Sequence, residues 1–210
     1  MLLNQALGSF LNETASSSPA PGGGTVSALA GSLAAALTSM VCRLTIGKKK
    51  YLNVEEEMTS TLGSSEELRN RMQKLIDADT SAFKEVMDAF GLPKESVEQK
   101  SVRADAIQAA TKKATLVPLD LLRACSDCCD FVQIVADRGN ANSLSDAGVA
   151  ALLLLAAARG ASMNIAINLS ALEDEEFVSS THAESELLER QVSERCDTIA
   201  RAVRGKLAGR

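Results

Sequence analysis

Apolar residues recur at spacings of three, four and seven along almost the whole chain, and alternating runs of Val, Ile, Thr and aromatic residues are missing. That period belongs to helices rather than strands. Ala, Leu, Glu, Lys, Gln and Arg fill long stretches between a few breakers, so the expected fold is all-α, a single-domain bundle of long helices over residues 1–210. The pattern predicts helices at about 2–15, 25–46, 52–91, 95–136, 145–169 and 174–207. Pro93 separates the third from the fourth, and Pro118 is expected to break or kink the fourth. Gly139 to Ser143 reads as a turn, after which Ser145 or Asp146 is expected to cap the fifth helix.

The second segment holds an uncharged run from Val26 to Cys42 and stops at Gly47, followed by Lys48, Lys49 and Lys50. A glycine past the last turn and cations at the negative helix end are stop signals. The run spans only about 26 Å and is mostly Ala, Ser and Gly, so no membrane span is expected. Ala28, Ser32, Ala35, Ser39 and Cys42 form a stripe of small residues on which another helix can pack closely. A dimer interface is expected on such small-residue faces of the 25–46 or 145–169 segments.

The third helix combines a core stripe with a charge. Leu68, Met72, Leu75, Ala82, Val86 and Phe90 step along one face, and Asp79 sits in the middle of it. Asp77 falls on nearly the opposite side with Asp88, so Asp79 is expected to be buried against a pocket and Asp77 exposed. Burial disfavours the charged form of a carboxylate, which suits proton transfer; the alternative is a carboxylate that holds a buried cation or backbone donor. On the fifth helix Asp146, Leu153, Gly160, Asn164 and Asn168 share a stripe. Asp146 and Asn164 lie about 27 Å apart along a straight helix, so one small ligand touches both only if the helix breaks or different subunits contribute. Buried hydrogen bonding between helices is the other reading of the two amides.

Pro19-Ala20-Pro21-Gly22-Gly23-Gly24-Thr25 places bare backbone at the start of the apolar helix. The first helical N–H groups lack intrahelical partners there, which makes a seat for a carboxylate, a phosphate or a polar heterocycle. A Pro/Gly loop without a ligand is the alternative.

Composition narrows the chemistry. A net charge of -5 and a pI near 5.1 argue against a nucleic-acid partner, because the only compact basic cluster is Lys48 to Lys50. No secretory leader is apparent, so a cytoplasmic protein is expected. The single histidine, His182, sits in a polar helix, which makes histidine triads and multi-histidine zinc sites improbable. Cys125, Cys128 and Cys129 include a CxxC without a second ligand pair, so reduced cysteines within a helix are expected, with no metal. Acid–base work then falls to a carboxylate or a lysine.

The PAPGGGT stretch, Gly47-Lys48-Lys49-Lys50-Tyr51, Asp77-Ala78-Asp79 with Ala82-Phe83, Gly139-Asn140, Ser145-Asp146-Ala147-Gly148 and Asn164-Ile165-Ala166-Ile167-Asn168-Leu169 occur in one order. Together they resemble the cyclodeaminase/cyclohydrolase family: the carboxy-terminal domain of formimidoyltransferase-cyclodeaminase and its stand-alone bacterial relatives. The resemblance implies a homodimeric, all-helical enzyme of one-carbon folate metabolism, without metal or nucleotide cofactor, with Asp79 as the catalytic carboxylate. It also implies that Pro21, Gly22, Gly23, Gly24, Thr25, Lys48, Lys49, Asn140, Asn142, Ser145, Asp146 and Asn164 line the folate pocket. Thr25 stands where relatives often carry Ser. Lys48 or Lys49 is expected to meet the acidic folate tail.

Two reactions fit. In one, water adds to the carbon of the 5,10-methenyl bridge and gives 10-formyltetrahydrofolate. In the other, N10 of 5-formimidoyltetrahydrofolate attacks the formimidoyl carbon and ammonia leaves. With no transferase domain ahead of these 210 residues, the expectation leans towards the cyclohydrolase. The competing class is a non-enzymatic helical dimer or a folate-binding module.

Overall fold

A computed structural model describes residues 2–209, and helix is the only regular structure among them. The α-helices are α1 (Leu7–Thr14), α2 (Gly23–Thr45), α3 (Glu55–Phe90), α4 (Val97–Arg138), α5 (Leu144–Leu169) and α6 (Glu175–Ala208). Short 3-10 turns at Leu2–Asn4, Lys49–Val54 and Ala141–Ser143 precede α1, α3 and α5. The expected all-α class is present; five of the six segments shift by at most three residues at their ends, whereas the first, expected over 2–15, is a 3-10 turn at Leu2–Asn4 followed by an α-helix only over Leu7–Thr14.

Local chemistry sets those ends. Ser96 and Gln99 form a reciprocal capping box at the start of α4, and the Asp174 side chain accepts the Phe177 N–H at the start of α6. Glu55, Glu56 and Glu57 occupy the first turn of α3, where negative charge is favoured. Gly47, at φ +74°, takes the chain out of α2 through the left-handed region. Two expectations need correction. Ser143 is the N-cap of α5, so Ser145 and Asp146 lie inside its first turn instead of capping it. Pro118 does not break α4, which continues through it to Arg138. Leu119, Leu121, Leu122 and Cys125 follow, all at most 2% exposed. A proline inside a helix costs about 3 kcal/mol, and each fully buried Leu returns about 1.5–3, so burial of this face outweighs the break.

Helix α2 is the centre of the bundle, with α3, α4 and α5 packed around it. A Cβ at Gly31 would meet Met72 Sδ at 2.9 Å, a Leu121 methyl at 3.3 Å and Ala157 Cβ at 3.5 Å, one neighbour from each helix. The small-residue stripe of α2 is buried inside the subunit, so it is not available to a second copy, contrary to expectation. What α2 and α5 leave outside is larger and apolar: Val26, Leu33 and Leu44 on α2, and Val149, Leu152, Met163 and Ile167 on α5. Both helices are long and apolar enough to cross a membrane, at a mean hydropathy of 1.6; most of α2 is enclosed by its neighbours.

The cysteines are structural. All five are free and buried, with Cys125, Cys128 and Cys129 turned into the core from α4. Burial pushes the Cys128 thiol up to about 12 and the Cys42 thiol up to about 11, which leaves both protonated and unreactive. His182 is exposed on α6, 3.5 Å from Glu186.

Candidate active site

Pro19 and Pro21, the latter after a cis peptide bond, lead into Gly22, which adopts extended backbone as the N-cap of α2. The glycines that follow do different jobs. A Cβ at Gly24 would lie 2.2 Å from Asp79 Oδ1 and 2.7 Å from its Cγ, so no other residue fits there without moving the carboxylate. A Cβ at Gly23 would meet only the Asn164 amide, at an ordinary 3.5 Å from Nδ2 and 3.9 Å from Oδ1. The bare backbone therefore admits a side chain of the protein itself. The carboxylate set against the N-terminal end of α2 is that of Asp79.

Asp79 projects from α3 and is half-buried, less enclosed than its place on the apolar stripe predicts because it faces an open cleft. The fully buried Thr25 hydroxyl donates to its Oδ2 at 2.7 Å, and Thr80 Oγ1 lies 3.4 Å from Thr25 Oγ1. Oδ1 has no hydrogen-bond partner among the described residues. One carboxylate oxygen is thus anchored and the other is available, which is what a positioned proton acceptor requires. Asp77 departs from its expected exposure: it is half-buried, and its Oδ1 accepts the Leu2 N–H at 2.7 Å where the N-terminal segment folds back on α3.

The cleft above Asp79 has a volume of about 310 Å³. Gly22, Gly23 and Gly24 form one side, Asp79, Ala82, Phe83 and Val86 the α3 side, Thr111 and Ala114 the α4 side, and Asn164, Ile167 and Asn168 the α5 side. Asn164 donates through Nδ2 to the Gly160 carbonyl at 2.7 Å, and its Oδ1 has no hydrogen-bond partner among the described residues. Gly160 itself is small because Ser27 of α2 would lie 2.1 Å from a Cβ there, so α5 approaches α2 closely at this end. Past Pro19 and Ala20 a second hollow of about 770 Å³ opens, lined by Asp77, Thr80, Phe83 and Lys84 among others. No group of three or more His, Cys, Asp or Glu side chains converges to hold a metal ion among the described residues.

The candidate residues fall into two sets. Pro21, Gly22, Gly23, Gly24, Thr25, Asp79 and Asn164 gather at the N-terminal end of α2. Lys48, Lys49, Asn140, Asn142, Ser145 and Asp146 gather at its C-terminal end, a helix length of about 35 Å away. Within one subunit a single small ligand does not span them. Asn140 is also occupied: its Nδ2 donates to the Leu44 carbonyl at 2.8 Å and its Oδ1 accepts the Asn142 N–H at 3.0 Å. Beside it the Tyr51 hydroxyl accepts the Ala141 N–H at 2.9 Å. Lys48 and Lys49 are exposed and have no ion pair among the described residues. Thr111, Ala114 and Asn168 also line the cleft and were not among the residues expected there. Pro118, four residues after Ala114, and the i, i+4 spacing of Asn168 from Asn164 were signals for the last two, and Thr111 had none.

Comparison with known proteins gives this geometry a context. The chain is 44% identical over 204 residues to methenyltetrahydrofolate cyclohydrolase of Methylorubrum extorquens, covering 97% of this chain and 98% of that protein. It is 36% identical over 181 residues to mouse formimidoyltransferase-cyclodeaminase, 86% of this chain but only 34% of that longer protein. The crystal structure of formiminotetrahydrofolate cyclodeaminase from Thermotoga maritima superposes with a TM-score of 0.87 at 32% identity, over 99% of this chain and 100% of that one. The profile of the formiminotransferase-cyclodeaminase family matches residues 6–187. The two-ended arrangement of glycines, Asp79 and Asn164 against Lys48 and Asn140 is therefore set in a fold that is shared with these proteins, and the chain belongs to the formiminotransferase-cyclodeaminase family.

Proposed function

We propose that this protein is a one-carbon tetrahydrofolate enzyme that hydrolyses the 5,10-methenyl bridge to 10-formyltetrahydrofolate, with cyclodeaminase action on 5-formimidoyltetrahydrofolate as a second reaction of the same site. The observation that carries the reading is the Asp79 carboxylate, anchored by Thr25 through one oxygen and open to the cleft through the other. Water attacking the bridging carbon loses a proton to Asp79 Oδ1. That proton then passes to the ring nitrogen as the carbon–nitrogen bond opens, and the remaining hydroxyl proton leaves to solvent as the carbon becomes the formyl carbonyl, so the carboxylate is regenerated. In the deaminase direction, N10 closes on the same carbon, and Asp79 relays a proton to the departing amine, which leaves as ammonia. The chemistry asks only for a positioned carboxylate, and the reading includes no resident cofactor.

The cyclohydrolase stands first because the 44% identical relative with that name aligns over nearly its whole length. The longer bifunctional proteins match at lower identity.

The working unit in this proposal is a cytoplasmic homodimer. The outward apolar face of α2 and α5 is about 35 Å long and two helices wide, or about 700 Å² per subunit, close to the ~800 Å² a standard interface buries on each partner. A two-fold axis through the middle of this face would set the lysine end of one protomer beside the cleft of its partner. That arrangement supplies cations for an acidic folate tail, which the cleft residues of a single chain do not.

The test is turnover of both folates at equal concentration by the purified protein, compared as kcat/KM. The reading expects activity with both and the higher value for the methenyl compound. A clear excess for the formimidoyl compound reverses the order, and no turnover of either leaves a folate-binding module.

A further inference from the structure

Proton transfer uses Asp79 and Thr25, but α4 and α5 bring polar groups to the cleft that it does not use. Thr111 is 5% exposed, and its hydroxyl makes no hydrogen bond with any described residue. It is not among the fully enclosed hydroxyls without partners, which are those of Ser32, Ser39 and Ser65, so it retains access to the cleft it lines. A nearly buried hydroxyl left unbonded is unfavourable, and such groups are uncommon in native interiors unless something else completes them.

Ala114 lines the same wall three residues further along α4. Its carbonyl would ordinarily accept the N–H of residue 118, but residue 118 is proline and has none. Asn168 adds an amide from α5 whose donor and acceptor have no partner among the described residues. Two helix positions therefore present a hydroxyl and a carboxamide that no described residue bonds around one cavity, and on the same wall Pro118 withholds the usual donor from the Ala114 carbonyl.

We propose that Thr111, the Ala114 carbonyl and Asn168 form the edge that reads the reduced heterocycle of the substrate, whose pyrimidine ring carries N–H donors and a carbonyl acceptor side by side. This rests on the folate reading above. The carbonyl accepts from the ring, the Thr111 hydroxyl donates or accepts, and the amide does both. Pro118 acquires a role beyond packing: it leaves a backbone acceptor over where an ordinary residue would have consumed it. The edge holds a part of the ligand that does not react, so it contributes equally to ground state and transition state and is felt in KM.

Thr111→Val keeps the shape and removes the hydroxyl, and Thr111→Ser restores it. Kinetics with 5,10-methenyltetrahydrofolate are paired with titration of 6-methyltetrahydropterin, which has the reduced heterocycle without the aminobenzoyl-glutamate arm. Thr111→Val is expected to raise KM and the fragment Kd about tenfold with kcat within about twofold, and Thr111→Ser to return both to within about threefold. The unliganded Thr111→Val protein should melt no lower than wild type, because it loses no hydrogen bond within the fold. Asn168→Ala, with an amide removed from a different helix, should weaken fragment binding in the same direction. A folded Thr111→Val protein with wild-type KM and fragment affinity, or one whose kcat falls while KM holds, overturns the proposal. Failure of the folate reading shows separately as a wild-type protein that turns over neither substrate, while the fragment titration still reads the edge.

Discussion

The carboxylate of Asp79 occupies the space where a side chain at Gly24 would begin: Oδ1 lies 2.2 Å from the ideal Cβ position. Two residues separated by more than fifty positions thus share one volume, and the backbone of one end of α2 is bare so that a side chain of α3 can sit against it. Gly24→Ala is expected to displace the carboxylate and lower turnover by about 10²-fold, the scale of one misplaced general base, while the helices remain formed. Gly23→Ala, with only a 3.5 Å contact, should retain most activity. Circular dichroism with a turnover assay separates the two variants, and equal activities would count against the close approach.

Thr25 anchors Asp79 through its hydroxyl at 2.7 Å. Thr25→Ser keeps that donor and should stay near wild-type turnover, whereas Thr25→Val should lose about tenfold in kcat, the value of about 1.4 kcal/mol for a hydrogen bond to a charged group. Comparable rates in the two variants would show that the hydroxyl does not orient the carboxylate.

The exposed apolar face of α2 and α5 predicts a dimer that a single charge disrupts. Leu33 and Val149 are each 47% exposed in the subunit, so Leu33→Glu or Val149→Glu should leave the fold intact and yield a monomer at micromolar concentration. Sedimentation velocity decides it. A wild-type monomer, or variants as dimeric as the wild type, would remove this face from the account.

Glu66 links α3 to α2, with Arg69 at 2.7 Å and Arg43 at 3.4 Å. The Arg69 guanidinium is the main cause that holds its carboxyl down from 4.5 to about 2. A folded-state value below the unfolded one stabilises above the unfolded pKa and is lost as pH falls through the folded one, so the window runs from about 4.5 down to about 2. Urea midpoints should place Glu66→Gln below wild type by less than about 1 kcal/mol at pH 7, because the pair is near the surface, with the gap closed by pH 2. A gap that stays constant with pH would assign it to packing instead.

Much of this arrangement was legible as periodicity. Asp79 stood on an apolar stripe, so its place on a cleft followed from the helical period, and Gly24 stood at a predicted helix start. Asp77 was misread because its environment comes from Leu2, seventy-five residues away, and no local spacing records that contact. The small-residue stripe on α2 correctly signalled close packing, but periodicity does not distinguish a neighbour in the same chain from one in another. Pro118 was expected to break or kink α4 because propensity is local, while the burial that carries the helix through it is tertiary. Lys48 and Gly24 appeared as one binding set through resemblance, and only helix length shows that they are at opposite ends of α2. Thr111 carried no signal of its own, since a threonine in a helix is ordinary until its hydroxyl is found without a partner.

The central claim is that Asp79 moves the proton. Single-turnover and steady-state rates of Asp79→Asn with 5,10-methenyltetrahydrofolate, beside wild type and with substrate binding measured independently, test it most directly. The amide keeps the shape and the Thr25 neighbour but is a far weaker base, so the fold and folate binding should persist while turnover falls by about 10²-fold or more. A folded Asp79→Asn protein that binds and turns over substrate at close to the wild-type rate would contradict the account.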